Sequence, residues 1–181
     1  IEGQSSLTLN KELVDIKDII QRSILDIKSQ LSGNQSVEIK IKDNTMKEHS
    51  VGQDSNAVLV MADGSKLMQV ISNLLSNAVK FTNFGEILIT IETKPTTGDS
   101  TNTSSSKEVI VSIKDSGQGI DPSIMPRLFE KFATKSDKGR GLGLGLFISK
   151  NIITRHGGKI WAENNTEGKG ATFAFCLPQT A

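Results

Sequence analysis

The sequence predicts an α+β fold. This is a two-layer α/β sandwich in which a mixed, mostly antiparallel sheet of about five strands is covered on one face by three helices. Three observations carry it. Three long segments repeat apolar residues at steps of three and four, the period of a helix with one buried face. About five short segments are apolar or alternate apolar with polar residues, as strands do. Some of these strands follow one another directly and others follow helices, so a mixed sheet with helices on one face buries every apolar stripe.

The elements follow in order. Residues 10–31 place Leu13, Ile16, Ile20, Ile24, Ile27 and Leu31 on one helical face, and Gly33-Asn34 ends that helix. "VEIKI" (37–41) alternates and predicts a strand with one buried side. "AVLVMA" (57–62) is a shorter, more continuous apolar strand. Asp63 then caps a helix running to about Phe81, with Leu67, Ile71, Leu74 and Ala78 on its apolar face. "EILITIET" (86–93) and "EVIVSIK" (108–114) read as a strand pair around residues 94–107, a mobile hairpin loop rich in Thr, Ser and Gly. A loop with "DSGQGI" (115–120), a short helix near 123–130 and the polar "ATKSDKGR" (133–140) lead to a helix over about 143–156. "KIWAEN" (159–164) and "ATFAFCL" (171–177) close the chain as strands, joined by a turn with Gly168 and Gly170; Trp161 is expected in the core.

The bulk properties narrow the function. A chain of 181 residues suffices for one domain with a real core. A net charge of +1 gives no reason to expect nucleic acid as a partner. Cys176 is alone, which excludes an internal disulfide or zinc framework and fits a reducing compartment. No apolar run approaches the roughly 20 residues of a membrane span. "IEGQSSLTLNK" lacks the basic flank and apolar core of a signal peptide. The chain does not begin with Met, which suggests a fragment of something longer.

Three constellations carry chemistry. On the second helix, Gln69, Asn73, Asn77 and Lys80 form a polar line opposite the apolar face. Asparagine is a mediocre helix former, so two on one line suggest either a solvated face or an amide ligand for a hard cation beside a phosphate-binding lysine. In "DSGQGI", Asp115 ends a strand and Gly117 and Gly119 follow: a simple turn, or a carboxylate placed to accept from an exocyclic amine. In "GRGLGLGLFISKNIITRHGG" (139–158), glycines alternate and then enter an apolar helix, so backbone N–H groups at a helix start can hold an anion. The spacing fits neither a P-loop nor a dinucleotide-binding fingerprint.

The order is specific: an Asn-bearing helix, D-x-G-x-G, F-x-x-F (Phe129 and Phe132), G-x-G-x-G, then a late Gly/Thr turn. Together these resemble the catalytic, ATP-binding domain of sensor histidine kinases, over about residues 35–178. The resemblance implies the Bergerat ATP-binding sandwich of the GHKL superfamily, with ATP and Mg2+ bound. It implies that residues 1–34 are a junction and first helix, and residues 35–181 the catalytic domain. By position, Asn77 matches the magnesium-binding asparagine, Asn73 the asparagine one turn earlier, and Lys80 the basic residue that meets phosphate. Asp115 matches the aspartate that reads the adenine amino group, with Gly117 and Gly119 shaping its loop. Thr172 matches the hydroxyl residue that supports that contact, and Phe129 and Phe132 the hinge of the ATP lid.

"GLGL" occurs twice, and only the copy at 143–146 leaves the family's nine residues, 147–155, before His-Gly-Gly. Gly141, Gly143 and Gly145 then match the phosphate-loop glycines, with Leu144 between the last two and Leu142 where Thr or Ser is common. The lid is about 133–142, with Lys135, Lys138 and Arg140 as phosphate contacts. ATPases of the superfamily carry a water-activating glutamate where this chain has Asn73, and an amide is no useful base. Slow intrinsic hydrolysis is therefore expected. His49 and His156 are the two histidines, and neither lies in a phosphoacceptor motif; each reads as a capping or surface residue. The implied activity is protein-histidine kinase, with the acceptor histidine on a helical dimerisation domain outside this chain. The implied further partner is a response-regulator receiver domain. The implied location is cytoplasmic, without membrane contact by this fragment. A non-catalytic nucleotide-sensing or interaction module of the same fold is the alternative.

Overall fold

The computed structural model describes residues 8–30, 36–45, 57–95, 107–133 and 143–179. Eleven elements follow in order: β1 (Glu12–Asp15), α1 (Ile16–Gln30), β2 (Ser36–Asp43), β3 (Leu59–Ala62), α2 (Gly64–Phe81), β4 (Phe84–Pro95), β5 (Lys107–Asp115), a 3-10 turn (Met125–Arg127), α3 (Gly145–Arg155), β6 (Lys159–Asn164) and β7 (Ala171–Pro178). Five strands form one sheet in the order β2-β4-β5-β7-β6. Only β2 and β4 are parallel; β4–β5, β5–β7 and β7–β6 are antiparallel. The expected mixed, mostly antiparallel sheet with three helices is what forms.

One sheet face carries the core. Ile87, Ile89 and Ile91 of β4, Val109, Val111 and Ile113 of β5, and Phe173, Phe175 and Leu177 of β7 alternate onto it. They meet Leu67, Ile71, Leu74 and Ala78 of α2, with Ile16, Ile20 and Ile24 of α1 and Ile152 and Ile153 of α3 alongside. Each fully buried side chain of this size contributes about 1.5–3 kcal/mol relative to exposure. Helix α2 packs between α1 and α3, so the middle of its polar line, Asn73 and Asn77, is half-buried, while Gln69 and Lys80 at its ends are exposed.

Three expectations need correction. The first helix starts at Ile16, not near residue 10, because Asp15 turns the chain. Its Oδ1 accepts from the N–H groups of Lys17 (3.0 Å) and Val58 (3.1 Å), and the preceding residues extend into β1. Leu13 therefore leaves the helical stripe and stands 52% exposed, paired with Met61. Next, "AVLVMA" does not join the main sheet. β3 pairs with β1 in a second, two-stranded sheet, burying Val60 and Ala62 while Leu59 and Met61 face outward. Finally, Trp161 is not core. Ile160 and Ala162 of β6 pack against the core, so Trp161 points to the open face, where it is 38% exposed. Leu31, Gly33, Asn34, His49 and the 96–106 part of the Thr/Ser-rich loop lie outside the described residues.

Asp63 caps α2 as expected, and its reach is wider than a simple cap. Its carboxylate accepts from Ser65 Oγ (2.7 Å) and from the N–H groups of Lys66 (3.1 Å) and Asn10 (3.1 Å). The Ser65 hydroxyl is the main cause holding its pKa below the ordinary value. A lowered folded-state pKa means stability that is present above the unfolded-state value and lost as pH falls through the folded one. We expect Asp63→Ala to cost about 1–2 kcal/mol in urea unfolding at neutral pH. The deficit should narrow in acid, where the wild-type carboxyl is protonated; an equal deficit at both pH values would exclude the charged cap as its source.

Candidate functional site

Asp115 sits at the end of β5, buried and on the helix-covered face with Ile113. Its Oδ1 accepts from the N–H groups of Gly117 (2.9 Å) and Ala171 (3.3 Å). Its Oδ2 has no partner among the described residues, so one oxygen is fixed and the other is left to receive a donor. Burial pushes its pKa upward, and the two backbone donors pull the other way. Gly117 and Gly170 make this seat possible. A Cβ at Gly117 would collide with the Phe81 carbonyl at the end of α2, and one at Gly170 with the Asp115 carbonyl. Gly170 and Gly119 also have φ of +100° and +81°.

Two further residues hold this loop and escaped the sequence reading. Asn164 accepts from the Ile120 N–H (2.6 Å) and donates to the Ile120 carbonyl (2.8 Å). Asn165 donates to the carbonyls of Asp115 (2.8 Å) and Lys169 (3.0 Å) and accepts from Thr172 Oγ1 (2.8 Å). The available signal was "NN" at the end of a strand, where asparagine is out of place unless its amide is used. Thr172 itself is not where the sequence reading put it. It pairs with Lys114, across from the exposed side, while Ala171 lies on the Asp115 face. The Thr172 hydroxyl is bonded to Asn165 and does not face the carboxylate.

The polar line on α2 divides. Asn73 turns to α3: its Nδ2 donates to the buried Ser149 Oγ (3.1 Å), and a Cβ at Gly145 would collide with its Oδ1. Asn77, one turn on and half-buried, has no hydrogen-bond partner among the described residues. Lys80 is exposed, its Nζ 5.3 Å from the Phe81 ring centroid. Gly145 is thus required by a helix–helix contact as well as by any approach of an anion.

The glycine run enters α3 at Gly145, with Leu144 as a cap residue that makes no side-chain cap bond. Gly143 has φ +64°, and a Cβ there would lie 3.0 Å from the Phe132 backbone. Phe132 also has a positive φ, 62°, and its N–H donates to the Gly143 carbonyl (3.2 Å). Phe129 packs against the core, whereas Phe132 stands 64% exposed, so the two phenylalanines part company. Lys135, Lys138, Arg140 and Gly141 lie outside the described residues. His156 is a buried cap, not a surface residue. The Asp63 N–H donates to its Nε2 (2.9 Å), and its Nδ1 lies 2.8 Å from the Ile152 carbonyl, which fixes the proton on Nδ1.

Residues 62–181 match the family described as histidine kinase-, DNA gyrase B-, and HSP90-like ATPase. The chain belongs to this family. The sensor protein KdpD of Clostridium acetobutylicum is 36% identical over 184 residues, covering 98% of this chain and 17% of that protein. The nucleotide-free catalytic domain of histidine kinase ThkA superposes with a TM-score of 0.70 at 27% identity, covering 95% of this chain and 99% of that one. Full-length ShkA in complex with AMPPNP gives a TM-score of 0.72 at 27% identity, covering 98% of this chain and 33% of that one. The chain thus has the sequence and fold of a sensor histidine kinase catalytic domain, and spans a small part of the curated relative's length.

Two expectations follow from the geometry. Gly145→Ala should destabilise the chain by about 1–3 kcal/mol through overpacking on Asn73. Adding Asn73→Ala should restore part of that loss, whereas additive losses would place the strain elsewhere. Asp115 runs the other way. A raised folded-state pKa means that its ionisation costs stability, and the cost is complete only above that pKa. Asp115→Asn should therefore unfold at the same temperature as wild type or higher at neutral pH, its advantage vanishing in acid. A lower midpoint at neutral pH would show that the charge is worth more to its two backbone donors than burial takes away.

Proposed function

We propose that this chain binds Mg-ATP across α2, the loop after β5 and the start of α3, and presents the γ-phosphate to a phosphoacceptor histidine outside it. The observation that carries this reading is the Oδ2 of buried Asp115, which has no partner among the described residues and is held out from a backbone-pinned carboxylate. A fixed acceptor of this kind suits the exocyclic amine of adenine. The phosphates then fall toward Asn77 and Lys80 on α2, and toward Gly143, Leu144 and Gly145 at the start of α3. Lys135, Lys138, Arg140 and Gly141 are proposed to add charge and backbone donors there.

Magnesium fits the residues present. It takes oxygen ligands, keeps several waters and shares its shell with phosphates, so one unengaged amide oxygen, that of Asn77, is a sufficient protein contribution. When bound, the ion would neutralise charge on the phosphates. The chain's own part is to position the nucleotide for in-line attack. The acceptor imidazole nitrogen forms a bond to the γ-phosphorus as the bond to the β–γ bridging oxygen breaks, and ADP leaves.

Hydrolysis has little support. Asn73 is no base, and its amide is bonded to Ser149. The proposed partners are therefore a helical dimerisation and phosphoacceptor domain, and beyond it a receiver domain, in a cytoplasmic setting. Residues 1–34 are proposed as the junction and residues 35–181 as the catalytic domain.

Calorimetric titration of ATP and ADP, with and without magnesium, tests the site. Magnesium should tighten ATP binding, and Asn77→Ala should remove that enhancement while leaving metal-free binding in place. The chain alone should show negligible autophosphorylation but transfer label to an added acceptor domain. Rapid phosphate release without any acceptor, abolished by Asn77→Ala, would replace the kinase reading with an ATPase.

A further inference from the structure

The loop that carries Asp115 is held by two adjacent side-chain amides at the end of β6, and neither has been given a role in recognition. Asn165 uses both ends of its side-chain amide and its main-chain N–H. Its Nδ2 donates to the carbonyls of Asp115 (2.8 Å) and Lys169 (3.0 Å), its Oδ1 accepts from Thr172 Oγ1 (2.8 Å), and its N–H donates to the Gly170 carbonyl (3.0 Å). Two carbonyls demand the NH2 group, so the amide has one orientation, and the Thr172 hydroxyl must be the donor to its oxygen. Three separate pieces of chain are tied here: the end of β5, the turn at 165–170 and the start of β7.

We propose that Asn165 is a positioning residue for base recognition. It fixes the main chain of Asp115 so that Oδ2 is aimed at the base amine, and Thr172 acts by orienting the Asn165 amide. The proposal rests on the nucleotide reading above. It explains why Thr172 sits on the opposite face from the carboxylate and still belongs to the site: its hydroxyl reaches Asp115 through one intervening amide. It also accounts for the second donor to Oδ1. Ala171 lies two residues beyond Lys169, whose carbonyl the Asn165 amide holds, so the same side chain ties down both the carboxylate's backbone and the turn that leads to the N–H pinning its other oxygen. Asn164 does the equivalent work at the far end of the loop. It bonds both backbone groups of Ile120, as a neighbouring strand would, and lies against Gly119, where a Cβ would come within 2.9 Å of its Oδ1.

A purely structural asparagine and a positioning one differ in what they do to ligand choice. ITP presents a carbonyl where ATP presents the amine, so the ratio of their affinities reads the contact to Oδ2 and little else. Binding of Mg-ATP and Mg-ITP is measured on the wild-type chain, Asn165→Ala, Thr172→Val and Thr172→Ser. Wild type should prefer ATP. In Asn165→Ala, ATP affinity should fall about tenfold, the worth of one well-aimed hydrogen bond to a charged group, with ITP affinity unchanged, so the preference collapses. Thr172→Val should move the ratio the same way by less, and Thr172→Ser, which keeps the hydroxyl, should leave it at the wild-type value.

Equal losses for ATP and ITP in Asn165→Ala, or an intact ratio, would overturn the proposal. Should Asn165→Ala fail to fold by near-ultraviolet circular dichroism, the Thr172 pair decides, and identical ratios in Val and Ser reject it. A wild-type chain that binds both nucleotides equally well would instead overturn the amine-reading role of Asp115, and this proposal with it.

Discussion

A carboxylate buried at the end of a central strand, with backbone N–H groups and, among the described residues, no cation as its partners, is the constraint around which this end of the molecule is built. Burying an ionised group is costly unless hydrogen bonds replace its water. Here the replacement comes from Gly117 and Ala171, and both donors demand close approach of backbone to backbone. Hence a glycine where α2 ends against the loop, and another with φ +100° where the turn passes the Asp115 carbonyl. Sheet order enters too. β7 is the neighbour of β5, so the first residue of β7 lies beside the last residue of β5.

The second organising feature is the clasp between α2 and α3. The two helices are joined at both ends of their contact. The Asp63 N–H at the start of α2 meets His156 at the close of α3, and Asn73 in mid-α2 meets Ser149 and Gly145 at the opening of α3. The start of α3 is therefore placed by side chains of α2, and the unengaged Asn77 lies one turn beyond that junction. Asn73, the asparagine one turn before Asn77, is thus a joint between α2 and the first residues of α3.

Fold and site were legible to different depths. The five main strands, α2 and its cap at Asp63 followed from periodicity and turn chemistry alone. β1 was lost because Leu13 happens to continue the spacing of Ile16 and Ile20, and because only a long-range bond from Val58 reveals that Asp15 marks the start of the helix. Trp161 was misplaced because a strand edge can carry an aromatic on either face. Asp115, Gly117 and Asn77 stood out as candidates because their types are unusual at their positions. Asn164 and Asn165 left a thinner signal, two asparagines at a strand end, and their importance lies in backbone groups that are close in space only. Thr172 lies one residue past Ala171, which in a strand is the difference between two faces, so its hydroxyl meets Asn165 and not the carboxylate.

The hydrogen bond between Phe132 and Gly143 joins residues that flank a ten-residue stretch, 133–142. Both flanking residues sit at positive φ, so the junction has a defined geometry of its own. Once the two ends of a loop are stapled together, the length between them matters little to the rest of the fold. Doubling such a loop adds only about 0.6 kcal/mol of closure entropy. The length inside the staple can then change at little cost to the fold, while the helix start and the core behind it stay as they are. The fold thus fixes where this loop leaves and returns without fixing how long it is, at a junction two residues wide.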